Sequence, residues 1–416
     1  MKRFVFSLSV FIFFFFFLLS QGIAAESFSK KEDAAIQDVY KTYLHCLTRV
    51  YDTMNENYYR PVSKEAFDRF IEKFNTGIYG KLDDKTRESH FVCWRSAAYL
   101  VDALKDKEDV FSAFYPPKAA KEYEATALDK RVDLGIEGEM TDEGYRVNHV
   151  EFRSDAYAKG LRKDDVILAV DKTSVLGFSR EKIQSLLTPL LDSKVSLEYL
   201  EHETKRKKEM EVRSQEYFKE SVFLTPVSVP GIYCLEIRHF NRMTGEDLSR
   251  LLSSVKEQAS GLIIDLRNNP GGPPLAAREI SAFFLPAGEK LAYFQKKGQP
   301  KSYLMAPEIP KKYHYEGPLA ILVNKQSGSS SELFSGILQK LGRATIIGSP
   351  TAGQVMLKSM FNYEDSSMLL LVTARGHLYD DSVFPFSGLV PDVAVDESKV
   401  DLVDYAANYL KAKIQK

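Results

Sequence analysis

Apolar residues recur along the chain with a period that changes twice, and the changes divide it. From residue 26 to about 128 the spacing is helical. Val39, Tyr43, Leu47, Val50 and Met54 fall on one helical face. A second helix is predicted over Lys64 to Phe74, and a third carries Trp94, Ala97, Leu100, Val101 and Leu104. Tyr115-Pro116-Pro117 breaks the pattern, so Asp109 to Pro117 is expected to be irregular. From 129 to about 218 short strand-like runs take over: Arg146 to Phe152, Val166 to Val170 and Val195 to Leu200. One helix is expected from its N-cap Ser179 to Leu187. Strands with a single amphipathic helix predict a small, partly open barrel. From 219 to 416 strand and helix alternate. Ile232 to Arg238, Gly261 to Leu266, Leu319 to Val323 and Ala344 to Ile347 are short apolar runs of the kind buried parallel strands need. Gly245 to Gln258 and Ser331 to Leu341 are helical, the second closed by Gly342. This order predicts an α/β domain with a largely parallel sheet.

The first residues break the scheme. Lys2 and Arg3 precede an almost continuously apolar run, Phe4 to Leu19, and small residues lead to Ala24 and Ala25. That is the order of a secretory signal peptide over residues 1–25, predicting export to a periplasmic or extracellular space; an uncleaved anchor is the lesser alternative. In such an oxidising compartment Cys46 and Cys93, both in helical stretches, can pair. Cys234 lies in a strand pattern and reads as core. No Cys/His spacing suggests a metal site. The formal net charge of -1 supplies no field to attract nucleic acid or anionic lipid. The basic run Lys205 to Lys208, between Glu203 and Glu209, reads as a solvated hairpin tip.

Three segments carry the candidate chemistry. Asn324-Lys325-Gln326-Ser327-Gly328-Ser329-Ser330-Ser331-Glu332 follows a buried strand and opens a helix. A serine there has free backbone N–H groups and the positive end of a helix dipole beside whatever its oxygen attacks. Each good donor to a developing oxyanion is worth about 3 to 4 kcal/mol. Read alone, the segment is equally a Ser/Gly loop with a serine N-cap. Asp265-Leu266-Arg267-Asn268-Asn269-Pro270-Gly271-Gly272 ends another strand in a glycine turn, which lets backbone N–H groups approach a carbonyl closely. Gly342-Arg343-Ala344 opens a third strand, which closes in Thr351-Ala352-Gly353.

In this order the three segments resemble the C-terminal processing (tail-specific) serine peptidases. Leu134-Gly135-Ile136-Glu137 and the run Gly160 to Asp171 look like that family's PDZ domain. Gly388-Leu389-Val390-Pro391-Asp392 resembles its closing turn. The resemblance implies a helical N-terminal region over 26–128, a PDZ domain over 129–218 and a crotonase-like (ClpP/crotonase-type) α/β core over 219–416. It implies peptide hydrolysis by a Ser–Lys dyad without metal or other cofactor, acting on exported polypeptides near their C-termini. Position by position, Ser329 becomes the nucleophile and Glu332 the family's glutamate. The oxyanion donors are the N–H of Ser330 and that of Gly271 or Gly272. Leu134, Gly135 and Ile136 become the loop that takes a peptide carboxylate.

The chain departs from the family where the base belongs. The lysine is expected at 354, and Gln354 stands there. A glutamine amide cannot take a serine proton near neutral pH. Three readings stay open. Lys358 can replace the lost lysine, Gln354 and Lys358 being an exchanged pair; positions four apart share a strand face but lie about 13 Å apart, so a bend or bulge is needed. A histidine can serve, although His239 and His377 sit in no recognisable motif. Or the chain binds peptides without cutting them. A second departure is Asp133, where the family has glycine: it puts an anionic side chain beside the expected carboxylate site.

Overall fold

The computed structural model of the protein describes residues 30–74, 90–127 and 130–415. The signal-peptide segment lies outside the described residues. Among those described, no helix is long and apolar enough to cross a membrane.

The helical period materialises as α1 (Lys30–Asn57), α2 (Lys64–Lys73) and α3 (His90–Leu104). Ser63 caps α2, its side chain accepting from the Ala66 N–H. Cys46 and Cys93 form a disulfide between α1 and α3. The segment expected to be irregular differs: Ala113–Tyr115 is a strand, β1, followed by α4 (Pro117–Ala127). Three residues show no period of their own. Their strand exists because they pair with Met368–Leu370 of a distant segment.

The middle of the chain supplies β2 (Lys130–Asp133), β3 (Ile136–Thr141), β4 (Gly144–Val150), α5 (Asp155–Ala158), β5 (Val166–Val170), β6 (Thr173–Ser174), α6 (Arg180–Leu187), β7 (Lys194–Leu200), β8 (Lys207–Arg213) and β9 (Gln215–Phe218). One sheet runs β3-β4-β5-β7-β8, with β6 against β5, and β2 pairs with β9. Leu134, Val147, Leu161, Ile167, Ile183, Leu197 and Val212 share one core. Ser179 caps α6, accepting from the Lys182 N–H. The basic run closes the β7–β8 hairpin: Lys205 and Arg206 lie in its turn, and Lys207 and Lys208 begin β8. Lys207 pairs with Glu198, and Lys208 with Glu201.

The remainder contains β10 (Val222–Thr225), β11 (Ile232–Ile237), α7 (Thr244–Val255), β12 (Gly261–Asp265), α8 (Pro274–Ser281), β13 (Lys290–Lys296), β14 (Tyr303–Met305), β15 (Leu319–Val323), α9 (Ser330–Lys340), β16 (Thr345–Gly348), β17 (Met356–Asn362), β18 (Met368–Leu378), β19 (Val393–Ala394) and α10 (Leu402–Ile414). The main sheet has the order β10-β11-β12-β15-β16-β19. It is parallel from β11 to β19, with β10 antiparallel at one edge. Strand alternation sorts its side chains. Cys234, Ile263, Ala320 and Leu322 meet Leu402, Ala406 and Leu410 of α10. Leu235, Leu262, Ile264 and Ile321 face the other way, towards Leu248, Ile280, Phe334 and Ile337 of α7, α8 and α9. A second sheet, β1-β18-β13-β14 with β17 on β18, carries Met356, Leu369 and Leu371 into the core of α1–α3. The architecture is a mixed α/β fold.

Candidate active site

The three sequence segments converge because they follow three adjacent parallel strands. β12, β15 and β16 are neighbours, and the turn after each opens at the same, carboxyl edge of the sheet. In open α/β sheets that edge is where ligands bind. Cross-links fix the turns to one another. The Gly328 N–H donates to the Asn269 carbonyl (2.9 Å), Ser327 Oγ to the Leu266 carbonyl (2.8 Å) and Ser331 Oγ to the Asn269 carbonyl (2.9 Å). Ser330 Oγ donates to the Gly272 carbonyl (2.7 Å), and the Ala352 N–H to the Ser327 carbonyl (3.0 Å).

Ser329 is the N-cap of α9 with φ 51° and ψ -111°. A residue with a Cβ rarely adopts that conformation, which costs on the order of 1–3 kcal/mol and persists only where the surroundings enforce it. The enforcing group is Glu332, one turn on and buried. Its Oε2 accepts from the Ser329 N–H (2.9 Å) and the Gln354 N–H (2.7 Å). Its Oε1 accepts from Thr351 Oγ1 (2.6 Å) and the Gly353 N–H (2.6 Å). One carboxylate therefore ties the serine turn to the segment carrying Gln354.

The glycine turn lies against the serine. A Cβ on Gly271 would come within 2.7 Å of Ser329 Cβ and 2.8 Å of the Ser330 nitrogen; one on Gly272 would strike the Phe240 carbonyl oxygen at 2.0 Å. Both sit at positive φ, 100° and 151°, so glycine is required for conformation and for space. Gly271 spends its N–H on Asn269 Oδ1 (2.8 Å), while Asn269 Nδ2 donates to the Ile237 carbonyl (2.6 Å). Of the two glycine donors, the Gly272 N–H has no acceptor among the described residues. The Ser330 N–H belongs to the first turn of α9, where N–H groups lack helical acceptors.

Gln354 is brought to this centre: its Oε1 lies 3.4 Å from where a Cβ on Gly328 would stand. Lys358 is not. A bulge between Leu357 and Lys358 interrupts the alternation, and Lys358 registers opposite Val372. Its Nζ lies 4.5 Å from the Phe111 ring centroid. Among the described residues no hydrogen bond or ion pair joins it to Ser329, Gln354 or Glu332. The bulge that a relocated base requires is thus present, but it takes Lys358 out of the simple four-residue face-sharing expected of it. Its amine is nonetheless unusual: desolvation by the surrounding protein lowers its pKa from the ordinary lysine value, but the residue is exposed, so water limits that shift.

The other titratable candidates are held elsewhere. His377 stacks on Tyr293, centroids 4.8 Å apart, and burial lowers its pKa. His239 bonds Asn241 Nδ2 through Nε2 (3.1 Å). Cys234 is buried, and desolvation pushes its thiol well up. Asp133 is also buried. Its Oδ1 accepts from the Gly135 N–H (2.7 Å) and from the Tyr217 hydroxyl, and Arg131 Nε lies 3.3 Å from its Oδ2. The Leu134 N–H donates to the Leu187 carbonyl at the end of α6 (3.1 Å).

Sequence reasoning missed Thr351 and Asn269 as members of the site. Thr-x-Gly and the paired asparagines were visible, but nothing in a sequence shows which carboxylate or carbonyl they meet. It also missed a group at the junction of the β-rich module and the main sheet. His149, Glu151 and Glu220 present ligand-type atoms within 4.8 Å of one another. Arg153 reaches Glu151 (3.5 Å), and Arg250 pairs with Glu220, so these carboxylates have cationic partners in the chain itself.

Residues 231–395 match peptidase family S41. A carboxyl-terminal-processing protease of Synechocystis is 25% identical over 331 residues, 74% of this chain and 75% of the relative. A probable CtpA-like serine protease of Staphylococcus aureus is 23% identical over 392 residues, 94% of this chain and 73% of the relative. The same kind of protease from Staphylococcus saprophyticus is matched over only 64% of its own length. Among solved structures, the tricorn protease superposes with a TM-score of 0.55 at 16% identity, over 90% of this chain and 37% of that one. The photosystem II D1 C-terminal processing protease gives 0.50 at 20% identity, over 85% and 93%. The resemblance read from the motifs is borne out, and the mixed α/β fold is that of these peptidases.

Proposed function

We propose that this chain, whose main sheet and site turns match peptidase family S41, is an exported serine endopeptidase that cleaves polypeptides near their C-termini. On this reading residues 129–218 are a PDZ-like module and 219–416 a crotonase-like core. Ser329 attacks the scissile carbonyl, and the N–H groups of Ser330 and Gly272 receive the oxyanion. The observation that carries the proposal is the enforced conformation of Ser329. Nothing in the packing of a plain N-cap requires strain there, whereas a nucleophile presented to a substrate does.

The base in this reading is Lys358. A catalytic amine must be neutral to accept the serine proton, and an ordinary lysine is protonated near neutral pH. Desolvation moves Lys358 in the required direction, and among the described residues no carboxylate pairs with it to hold the proton. Its side chain must leave Phe111 to act. One observation favours the second reading, a peptide-binding chain without catalysis: the amine rests on Phe111 while the Gln354 amide occupies the site.

Cleavage of an unfolded protein by the wild type, Ser329→Ala and Lys358→Ala separates the two. Peptidase action predicts cleavage that both substitutions abolish with folding intact. Unimpaired cleavage by Lys358→Ala removes Lys358 as base, and no wild-type cleavage from neutral to alkaline pH leaves the binding reading.

A further inference from the structure

A cleft of about 640 Å³ separates the β-rich module from the main sheet. Gly135, Glu137 and Arg180 line it on one side, Lys219, Arg238 and His239 on the other. It leads towards the serine: the residue after His239, Phe240, donates its N–H to the Gly271 carbonyl (2.9 Å), in the turn that touches Ser329. The cleft wall at His239 is therefore one residue along the chain from a backbone bond to the turn that abuts Ser329.

Two features of the cleft decide what it can hold. The first is that the Leu134–Gly135 loop has used its donors. The Gly135 N–H is bonded to the Asp133 carboxylate and the Leu134 N–H to the Leu187 carbonyl. The Asp133 carboxylate sits where an incoming chain terminus would have to bind, and Tyr217 and Arg131 keep it there. A second carboxylate at that loop would meet the like charge of Asp133, with the Leu134 and Gly135 N–H groups already bonded.

The second is an imbalance of paired charges. Every carboxylate of the cleft has an arginine: Glu137 has Arg131 (2.6 Å), Glu151 has Arg153 (3.5 Å) and Glu220 has Arg250. Arg238 pairs with Glu236 (3.1 Å) and lies over Phe223. The side chains of Arg180 and Lys219, by contrast, enter no ion pair or hydrogen bond among the described residues. Lys219 acts on Glu137 only through space. Two cations thus line the cleft with no carboxylate in direct contact among the described residues, and the cleft walls focus their field.

We propose that the cleft binds an acidic internal stretch of polypeptide, its carboxylates meeting Arg180 and Lys219, and that the Leu134–Ile136 loop takes no chain terminus. This rests on the reading of the chain as a polypeptide-binding peptidase and names what that site selects. Two partly screened ion pairs are worth up to about fivefold each in affinity.

The test is fluorescence anisotropy with full-length Ser329→Ala protein, so that binding is read without cleavage. One extended peptide is used in four forms: with glutamates or with glutamines, each with a blocked or a free C-terminus. The expected result is three- to tenfold tighter binding of the blocked glutamate peptide than of its glutamine counterpart, and less than a twofold gain from freeing the C-terminus. The doubly substituted Arg180→Gln, Lys219→Gln protein, with an unchanged melting temperature, should lose the difference. Binding that requires a free C-terminus, equal binding of the glutamate and glutamine peptides, or binding of neither would overturn the proposal. None of those outcomes touches cleavage by the wild type, and an inactive wild type leaves this binding test intact.

Discussion

Glu332 accepts four hydrogen bonds, two on each oxygen, from the serine turn and from the segment ending in Gln354. All four partners are donors, so only a carboxylate can serve them all. Glu332→Gln keeps the shape but turns an NH₂ group towards two N–H or O–H groups. It should cost about 2 to 4 kcal/mol of stability, the range for breaking a buried charged network, and urea unfolding measures it. Ser329 should relax from its left-handed backbone in the same variant, seen as loss of reactivity beyond the loss of folded protein. An unchanged unfolding midpoint would mean that water or another group satisfies these donors.

At the scale of elements, three strand ends must meet, and two glycines allow it. Gly271 at φ 100° abuts Ser329. In Gly271→Ala the methyl group must displace either the serine turn or its own turn. Stability should fall by about 1 to 3 kcal/mol and cleavage by far more; thermal unfolding together with initial rates separates the two effects. The strands themselves were legible. Leu319 to Val323 and Val166 to Val170 were predicted to the residue, because buried runs between turn signals admit little else. β1 was not legible, since its three residues become a strand only by pairing with β18. The serine, glycine and glutamate of the site were legible from their motifs. The direction of Lys358 was not, because one bulge overrides the alternation on which a sequence argument depends. Nor was the pairing of Asp133 with the Gly135 N–H; the sequence located the charge beside the loop, and only the fold shows that it fills it.

On the scale of the whole molecule, the β-rich module meets the main sheet through charge. Arg153 joins Glu151 to Asp247 (2.5 Å), and Glu220 lies between Glu151 and Arg250. Desolvation raises Glu220 to about 7. Arg250 opposes the shift, and repulsion from Glu151 and Asp247 adds to it. Between its ordinary value near 4.5 and about 7 the folded chain therefore holds more protons than the unfolded one, and Glu220's contribution to stability falls as pH rises through that window. Glu220→Gln removes the ionisation. Above about pH 7 the variant should be more stable than wild type by about 1 to 3 kcal/mol, and the difference should vanish towards pH 4.5; paired urea titrations at both ends of the window decide it. The account as a whole stands on Ser329 being an activated nucleophile, and the direct measurement is covalent labelling by a fluorophosphonate, with the adduct mapped by mass spectrometry. The account predicts one adduct, on Ser329, formed faster as pH rises and the lowered amine of Lys358 loses its proton, and lost in Lys358→Ala. A folded wild-type protein that forms no adduct at Ser329 at any pH from neutral to alkaline would contradict it.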